Sequence, residues 1–206
     1  MSQQTMYRWR HLSEAQRLEL LSYRRSQQLP WHSPPHYGSE SGVYLITAAC
    51  FEHRHVVGSN PQRMAAFEQT LLATCGAIAS DVPAWTVLPN HYHILVRLAD
   101  AKTLLASLGR LHGRTSFQWN GDENCRGRKV WFNAAETAMK SERHYWASLI
   151  YVLHNAVKHG YVSKWQDWPF CNAKAFLNQV GREQARRLWQ EYPIDDYGTT
   201  WDPAEL

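Results

Sequence analysis

Pro89-Asn90-His91-Tyr92-His93-Ile94-Leu95-Val96 is the stretch from which the rest of this chain can be read. Its side chains alternate as they would on a β-strand, so His91, His93 and Leu95 share one face and Tyr92, Ile94 and Val96 the other. Two residues of rise, about 6.6 Å, separate the imidazoles, close enough for both to turn onto one metal ion. The triplet alone is not specific: the chain has 11 His and a second such pair, His53-Arg54-His55, whose polar setting reads as exposed surface. Two packed or solvated histidines would look the same, so a third ligand has to decide.

Outward from that strand, the apolar periods predict an ordered series of elements. Val43–Phe51 reads as a strand, Arg63–Ala79 as a helix, and Ala84–Leu88 and Tyr92–Leu98 as strands around Pro89-Asn90. Thr103–Trp119 is a second helix, residues 121–127 a polar loop, and Lys129–Phe132 a short strand. Ser141–His159 is a third helix, with Gly160 as a left-handed cap. Strand, helix, strand, strand, helix, strand is the order of a ferredoxin-like split β-α-β sandwich. The expected class is therefore α+β, an antiparallel sheet with helices on its faces. Ser13 and Gln16 form a capping box that opens a helix to about Gln28, and Pro30, Pro34 and Pro35 then break the chain. Residues 1–40 read as an extension, 41–175 as the principal domain, and 176–206 as a tail with a helix over Glu183–Glu191.

Composition narrows the function classes. Of 206 residues, 44% are hydrophobic and 19% charged, enough apolar material for a core. No run approaches 18 consecutive apolar residues, and Met1–Arg10 lacks the apolar centre of a secretory signal. The expectation is a soluble, cytoplasmic chain with no membrane partner. Cys50, Cys75, Cys125 and Cys171 contain no C-x-x-C pair, which argues for reduced, mostly buried thiols rather than a zinc knuckle or a disulfide framework. A net charge of +4 permits a nucleic-acid partner without requiring one.

The third helix supplies the missing ligand. Trp146, Leu149, Ile150, Leu153 and Val157 form a buried stripe, which places Tyr151, Asn155 and Lys158 together on the opposite side. A phenol, an amide and an ammonium so stacked suit a nucleophile, a metal ligand and a phosphate contact. Each alone is an ordinary surface residue; their joint spacing, with the histidine pair upstream, is what points to chemistry.

His91-Tyr92-His93 together with Tyr151-Val152-Leu153-His154-Asn155-Ala156-Val157-Lys158-His159-Gly160 resembles the REP-associated tyrosine transposases, relatives of the single-tyrosine HUH transposases. The likeness runs from about Val43 to Cys171 and includes Trp131-Phe132 and Asp167-Trp168-Pro169-Phe170. Ala156 departs from it, standing where the family usually has proline. The resemblance implies that His91, His93 and Asn155 hold a divalent metal, magnesium or manganese, and that Tyr151 is the nucleophile. It implies cleavage of single-stranded DNA beside a hairpin through a 5′-phosphotyrosine, by a protein resembling monomers rather than the related dimers. His154 and Lys158 are the candidates to assist Tyr151, whose free phenol, with a pKa near 10, is a poor nucleophile.

Between Arg97 and Lys129 seven Lys or Arg face three Asp or Glu. Arg110, Arg114, Arg126, Arg128 and Lys129, with Lys158, are the candidate DNA contacts; a solvated charged face is the plain alternative. Trp119, Trp131 and Tyr37 could stack on bases, although core packing suits each. Two other functions compete with strand transfer. One is a hairpin-binding protein without cleavage, favoured if Tyr151 is buried; the other is a metallohydrolase unrelated to DNA, disfavoured by the lack of an acidic general base.

Overall fold

The computed structural model describes residues 42–199, 201 and 202, together with Ser13, Ala15, Gln16, Glu19 and Ser22. Two compact units emerge, Met1–Tyr37 and Gly38–Leu206. In the first, Gln16 Oε1 accepts from the Ser13 amide at 2.9 Å and Ser13 Oγ from the Gln16 amide at 3.3 Å, the reciprocal pair of a capping box. The remainder of the helix expected there, and Tyr37, lie outside the described residues.

In the second unit the elements run β1 (Gly42–Ala49), α1 (Pro61–Gly76), β2 (Asp81–Val87), β3 (His91–Leu98), α2 (Ala101–Asp122), β4 (Ala135–Ala138), α3 (Glu142–Lys158), α4 (Ala173–Val180) and α5 (Arg182–Glu191). The sheet order is β2-β3-β1-β4, all antiparallel, which is the ferredoxin-like plan expected. β3 is central and carries β1 on one side and β2 on the other. Pro83 sits where β2 slips register between Asp81 and Ala84, the place a residue without an amide hydrogen is tolerated. Helix starts follow the local chemistry: Asn60 caps α1 with Pro61 behind it, Asp100 caps α2, and Ser141 caps α3.

The alternation of β3 separates two cores. Tyr92, Ile94 and Val96, with Tyr44, Ile46 and Ala48 of β1, pack under Phe67 and Leu71 of α1 and Leu104, Leu108 and Leu111 of α2. Leu95 and Leu45 face the other way, onto Leu149, Val152 and Leu153 of α3 and Phe176 and Leu188 of α4 and α5. Truncating Phe67, 2% exposed and stacked on Trp131, to alanine would cost about 3–5 kcal/mol.

Two expectations need correction. Lys129–Phe132 is not a strand; a single bridge joins Trp131 to Cys50, and the fourth strand comes later, at Ala135–Ala138. Val130 and Trp131 are apolar because they are core residues, whereas β4 is an exposed, small-residue edge with little hydrophobic signal. Nor does α3 have an exposed side at Tyr151. Tyr151 and Asn155 are buried along with Leu149–Leu153, because one side meets the sheet and the end of the chain covers the other. Its C-terminus is as expected: Gly160 has φ 72°, and the Gly160 and Tyr161 amides donate to Val157 and Ala156, a Schellman closure. Ala156 simply continues the helix.

Candidate active site

β3 and α3 bring the predicted residues together. His91 and His93 project from the α3 face of β3, and Tyr151 and Asn155 descend from α3 onto them. Their order along each element is a consequence of the two periods: residues two apart share a strand face, and residues four apart share a helix face. Asn155 Oδ1 lies 3.0 Å from His91 Nε2, and the Tyr151 hydroxyl 3.5 Å from His93 Nε2.

Each histidine is held from behind. Asn90 Oδ1 is 2.7 Å from His91 Nδ1, and Thr47 Oγ1 is 2.8 Å from His93 Nδ1. Asn90 is fixed in turn, because its Nδ2 donates to the His53 carbonyl at 3.2 Å. Its oxygen must therefore accept, and His91 must carry its proton on Nδ1. Likewise Asn155 Nδ2 donates to the Asp202 carboxylate at 3.0 Å, so its Oδ1 is the atom facing His91. Burial, then the neighbouring His93 ring, holds His91 well below the usual imidazole range, so the ring is neutral. A lone pair on His91 Nε2 thus meets a lone pair on Asn155 Oδ1 at 3.0 Å. A cation between them would satisfy both lone pairs. The separation is also the edge of an octahedral shell with bonds of about 2.1 Å. The donor set fits a divalent metal.

Asp202, unforeseen in sequence, lies at the centre. His91, His93 and Asp202 offer ligand atoms within 4.8 Å of one another. The Tyr151 hydroxyl donates to Asp202 Oδ2, and Lys158 Nζ donates to the same oxygen at 3.2 Å and to the Asp202 carbonyl. His159 Nε2 is 3.1 Å from Oδ1. Burial pushes the carboxyl up, but hydrogen bonds from His159 and His93 outweigh it and hold it ionised. Burial, then the Asp202 charge, pushes the Tyr151 phenol far above its ordinary value. Lys158 reaches the phenol oxygen at 3.4 Å, whereas His154 is half-buried and is not among the groups bonded to it.

The last described residues wrap the tyrosine. Tyr197 and Trp201 pack on the Tyr151 ring at 5.1 and 5.2 Å, and Trp201 also meets His93 at 5.6 Å. Tyr197 is tied to Ser148 by its hydroxyl at 2.5 Å. Gly198 is required twice over: its φ is 86°, and a Cβ there would lie 2.6 Å from the Tyr151 ring. No hydrophobic period marks this segment, so Asp202 left no sequence signal beyond the aromatic spacing of Tyr197 and Trp201.

The other predicted residues scatter. Arg110 and Arg114 are exposed on α2, and Arg126 stacks over the exposed Phe117 ring at 4.2 Å. Arg128 is bonded to Asn120 and Glu123, while the Lys129 ammonium lies over Phe51 at 4.6 Å. Lys158 belongs to the Tyr151 cluster rather than to the basic surface. Trp119 and Trp131 are core residues. His53 is not free surface either: its Nδ1 is buried and its backbone has φ 51°. All four cysteines are free, and burial pushes the Cys50 and Cys75 thiols up to about 12.

A ferredoxin-like sheet thus carries an H-x-H pair on a central strand, with a tyrosine helix laid over it. Over 122 residues the chain is 30% identical to the REP-associated tyrosine transposase of Escherichia coli (strain K12), covering 59% of this chain and 66% of that protein. A solved REP-associated tyrosine transposase bound to a REP hairpin aligns with TM-score 0.54 and 21% identity, over 78% of this chain and 87% of that one. No family model matches. The chain is similar to the REP-associated tyrosine transposases and spans just under two thirds of the length of the curated relative it matches. No described helix is long and apolar enough to cross a membrane.

Proposed function

We propose that the chain is a metal-dependent endonuclease and strand transferase that cuts and rejoins single-stranded DNA beside repeated hairpins in the cytoplasm, acting as a monomer. One observation carries this reading. The Tyr151 hydroxyl, Asn155 Nδ2, Lys158 Nζ and His159 Nε2 all converge on the oxygens of the Asp202 carboxylate. The site is built to hold an anionic oxygen group against a tyrosine, and a scissile phosphate presents the same oxygens.

His91, His93 and Asn155 would hold magnesium or manganese, which supplies charge stabilisation on the phosphate oxygens. Tyr151 Oη attacks phosphorus, the bond to the 3′ oxygen breaks, and that oxygen takes up a proton as a free hydroxyl. One phosphodiester is exchanged for another, so a second 3′-hydroxyl reverses the step and rejoins strands. Lys158, 3.4 Å from the phenol oxygen, stabilises the charge that Tyr151 develops as its proton leaves. Residues 41–175 carry this chemistry, with 1–40 and the tail beyond 176 as flanking parts.

The competing reading is a hairpin-binding protein without cleavage, and the 1% exposure of Tyr151 favours it. A labelled hairpin with a single-stranded arm, incubated with manganese or magnesium, distinguishes the two on a denaturing gel. A metal-dependent covalent band, lost in Tyr151→Phe, supports strand transfer. Hairpin binding with no band, in the wild type and in Asp202→Ala alike, supports the non-cleaving reading.

A further inference from the structure

Among the described residues two large apolar side chains stand exposed, Trp201 and Phe117. Trp201 is accounted for by its packing on Tyr151 and His93. Phe117, 71% exposed near the end of α2, instead carries the Arg126 guanidinium over its ring at 4.2 Å. We propose that Phe117 and Arg126 form a stacking platform for an unpaired base in the loop of the bound DNA hairpin, with Arg110 and Arg114 on its phosphates. The inference rests on the DNA reading above.

The platform is in place before any base arrives. Arg126 Nη1 donates to the Phe117 carbonyl at 2.5 Å. Gly121, one turn beyond Phe117, makes room for it, since a Cβ there would collide with the guanidinium. The turn that carries Arg126 is itself fixed. The Cys125 amide donates to the Asn120 carbonyl at 2.9 Å, and Glu123 bridges Arg63 and Arg128 at 2.5 and 2.6 Å. Asn124 and Gly127, at φ 53° and 88°, bend the chain on either side of Arg126. A flat ring is thus capped by a cation of set position and is otherwise open to solvent, so little ordering is left for binding to impose.

The surroundings of the ring select its partner. At about 100° per residue, Arg110, Arg114, Phe117 and Gly121 fall within about 60° of one another, a single row along α2. Arg110, Arg114 and Arg126 are exposed with Phe117, and Asp122, the one acid of α2, falls outside the row. An apolar partner would leave these guanidiniums desolvated without a counter-charge. A polyanion bearing flat apolar groups satisfies both parts, and unpaired nucleic acid is such a polymer. The position in the fold says which part of the DNA is meant. α2 packs on the face of the sheet opposite Tyr151, so the base it holds lies away from the arm being cut. In a hairpin, the unpaired bases away from that arm are those of the loop.

The test measures the anisotropy of a fluorescent DNA hairpin with a thymine loop and of the same hairpin with abasic loop positions. Wild type, Phe117→Ala and Phe117→Trp are compared, with melting midpoints as the check on folding. Phe117→Ala is expected to bind the thymine-loop hairpin about tenfold more weakly, and Phe117→Trp to restore binding. The abasic loop should weaken wild type by the same factor and leave Phe117→Ala unaffected, because ring and base are two halves of one contact. Equal binding of the thymine loop by wild type and a folded Phe117→Ala overturns the platform and leaves the DNA reading standing. So does a loss in Phe117→Ala that persists undiminished on the abasic loop, since the ring then meets something other than a base. Self-association of the wild-type chain in sedimentation, lost in Phe117→Ala with DNA affinity unchanged, assigns the ring to a second copy and likewise overturns the platform. If the wild type binds neither hairpin, platform and DNA reading fall together.

Discussion

Asn90 and Thr47 lie behind the histidines and set which nitrogen of each faces the site. Thr47→Val keeps the shape of β1 and leaves His93 Nδ1 without its partner at 2.8 Å. Manganese affinity by calorimetric titration should fall about 10–100-fold, and Thr47→Ser should restore it. His112 gives a separate expectation in acid. Burial lowers it from 6.5 to about 4, so the unfolded chain takes up the proton first. Stability is untouched above pH 6.5, falls as pH drops toward 4, and levels off below, for a loss of at most roughly 3 kcal/mol. Urea midpoints across that window should flatten in His112→Gln. At this scale the sequence was most legible where a strand or helix period sets the spacing: His91, His93, Tyr151 and Asn155 meet as their periods implied. Asp202 was not legible, since its place depends on a turn held by Gly198 and on rings packing over Tyr151, neither of which leaves a repeat.

Whole elements were legible where a long apolar period ran through them. β3, α2 and α3 lie within a few residues of their expected ends, and Gly160 closes α3 as its position implied. Gly160→Ala, at φ 72°, should cost about 1–2 kcal/mol in urea unfolding. β4 escaped because four small residues on an exposed edge carry no pattern, while the core residues before it imitated one. The turn over Tyr151 makes its own prediction. Gly198→Ala forces a Cβ to within 2.6 Å of the tyrosine ring at an unfavourable φ, so the segment must lift. Covalent adduct formation should rise in Gly198→Ala and in Asp202→Ala relative to wild type on the same gel.

For the molecule as a whole, the antiparallel order β2-β3-β1-β4 leaves His91, His93 and Asn155 on one face and the exposed arginines of α2 on the other. Neutralising Arg110 and Arg114 together should reduce the salt dependence of hairpin binding by a slope of about two, without altering adduct formation on saturating DNA. The cover over Tyr151 also has a thermodynamic reading. On the proposed function, Asp202 and the scissile phosphate would compete for one set of donors, so the strand would engage only the fraction of molecules in which the carboxylate has left. If that fraction were about one in a hundred, the observed affinity for the scissile strand would be about a hundredfold weaker than the open site's own. The hairpin, held elsewhere, would bind at full strength. Occupancy by DNA and readiness to cut would then be two separate quantities.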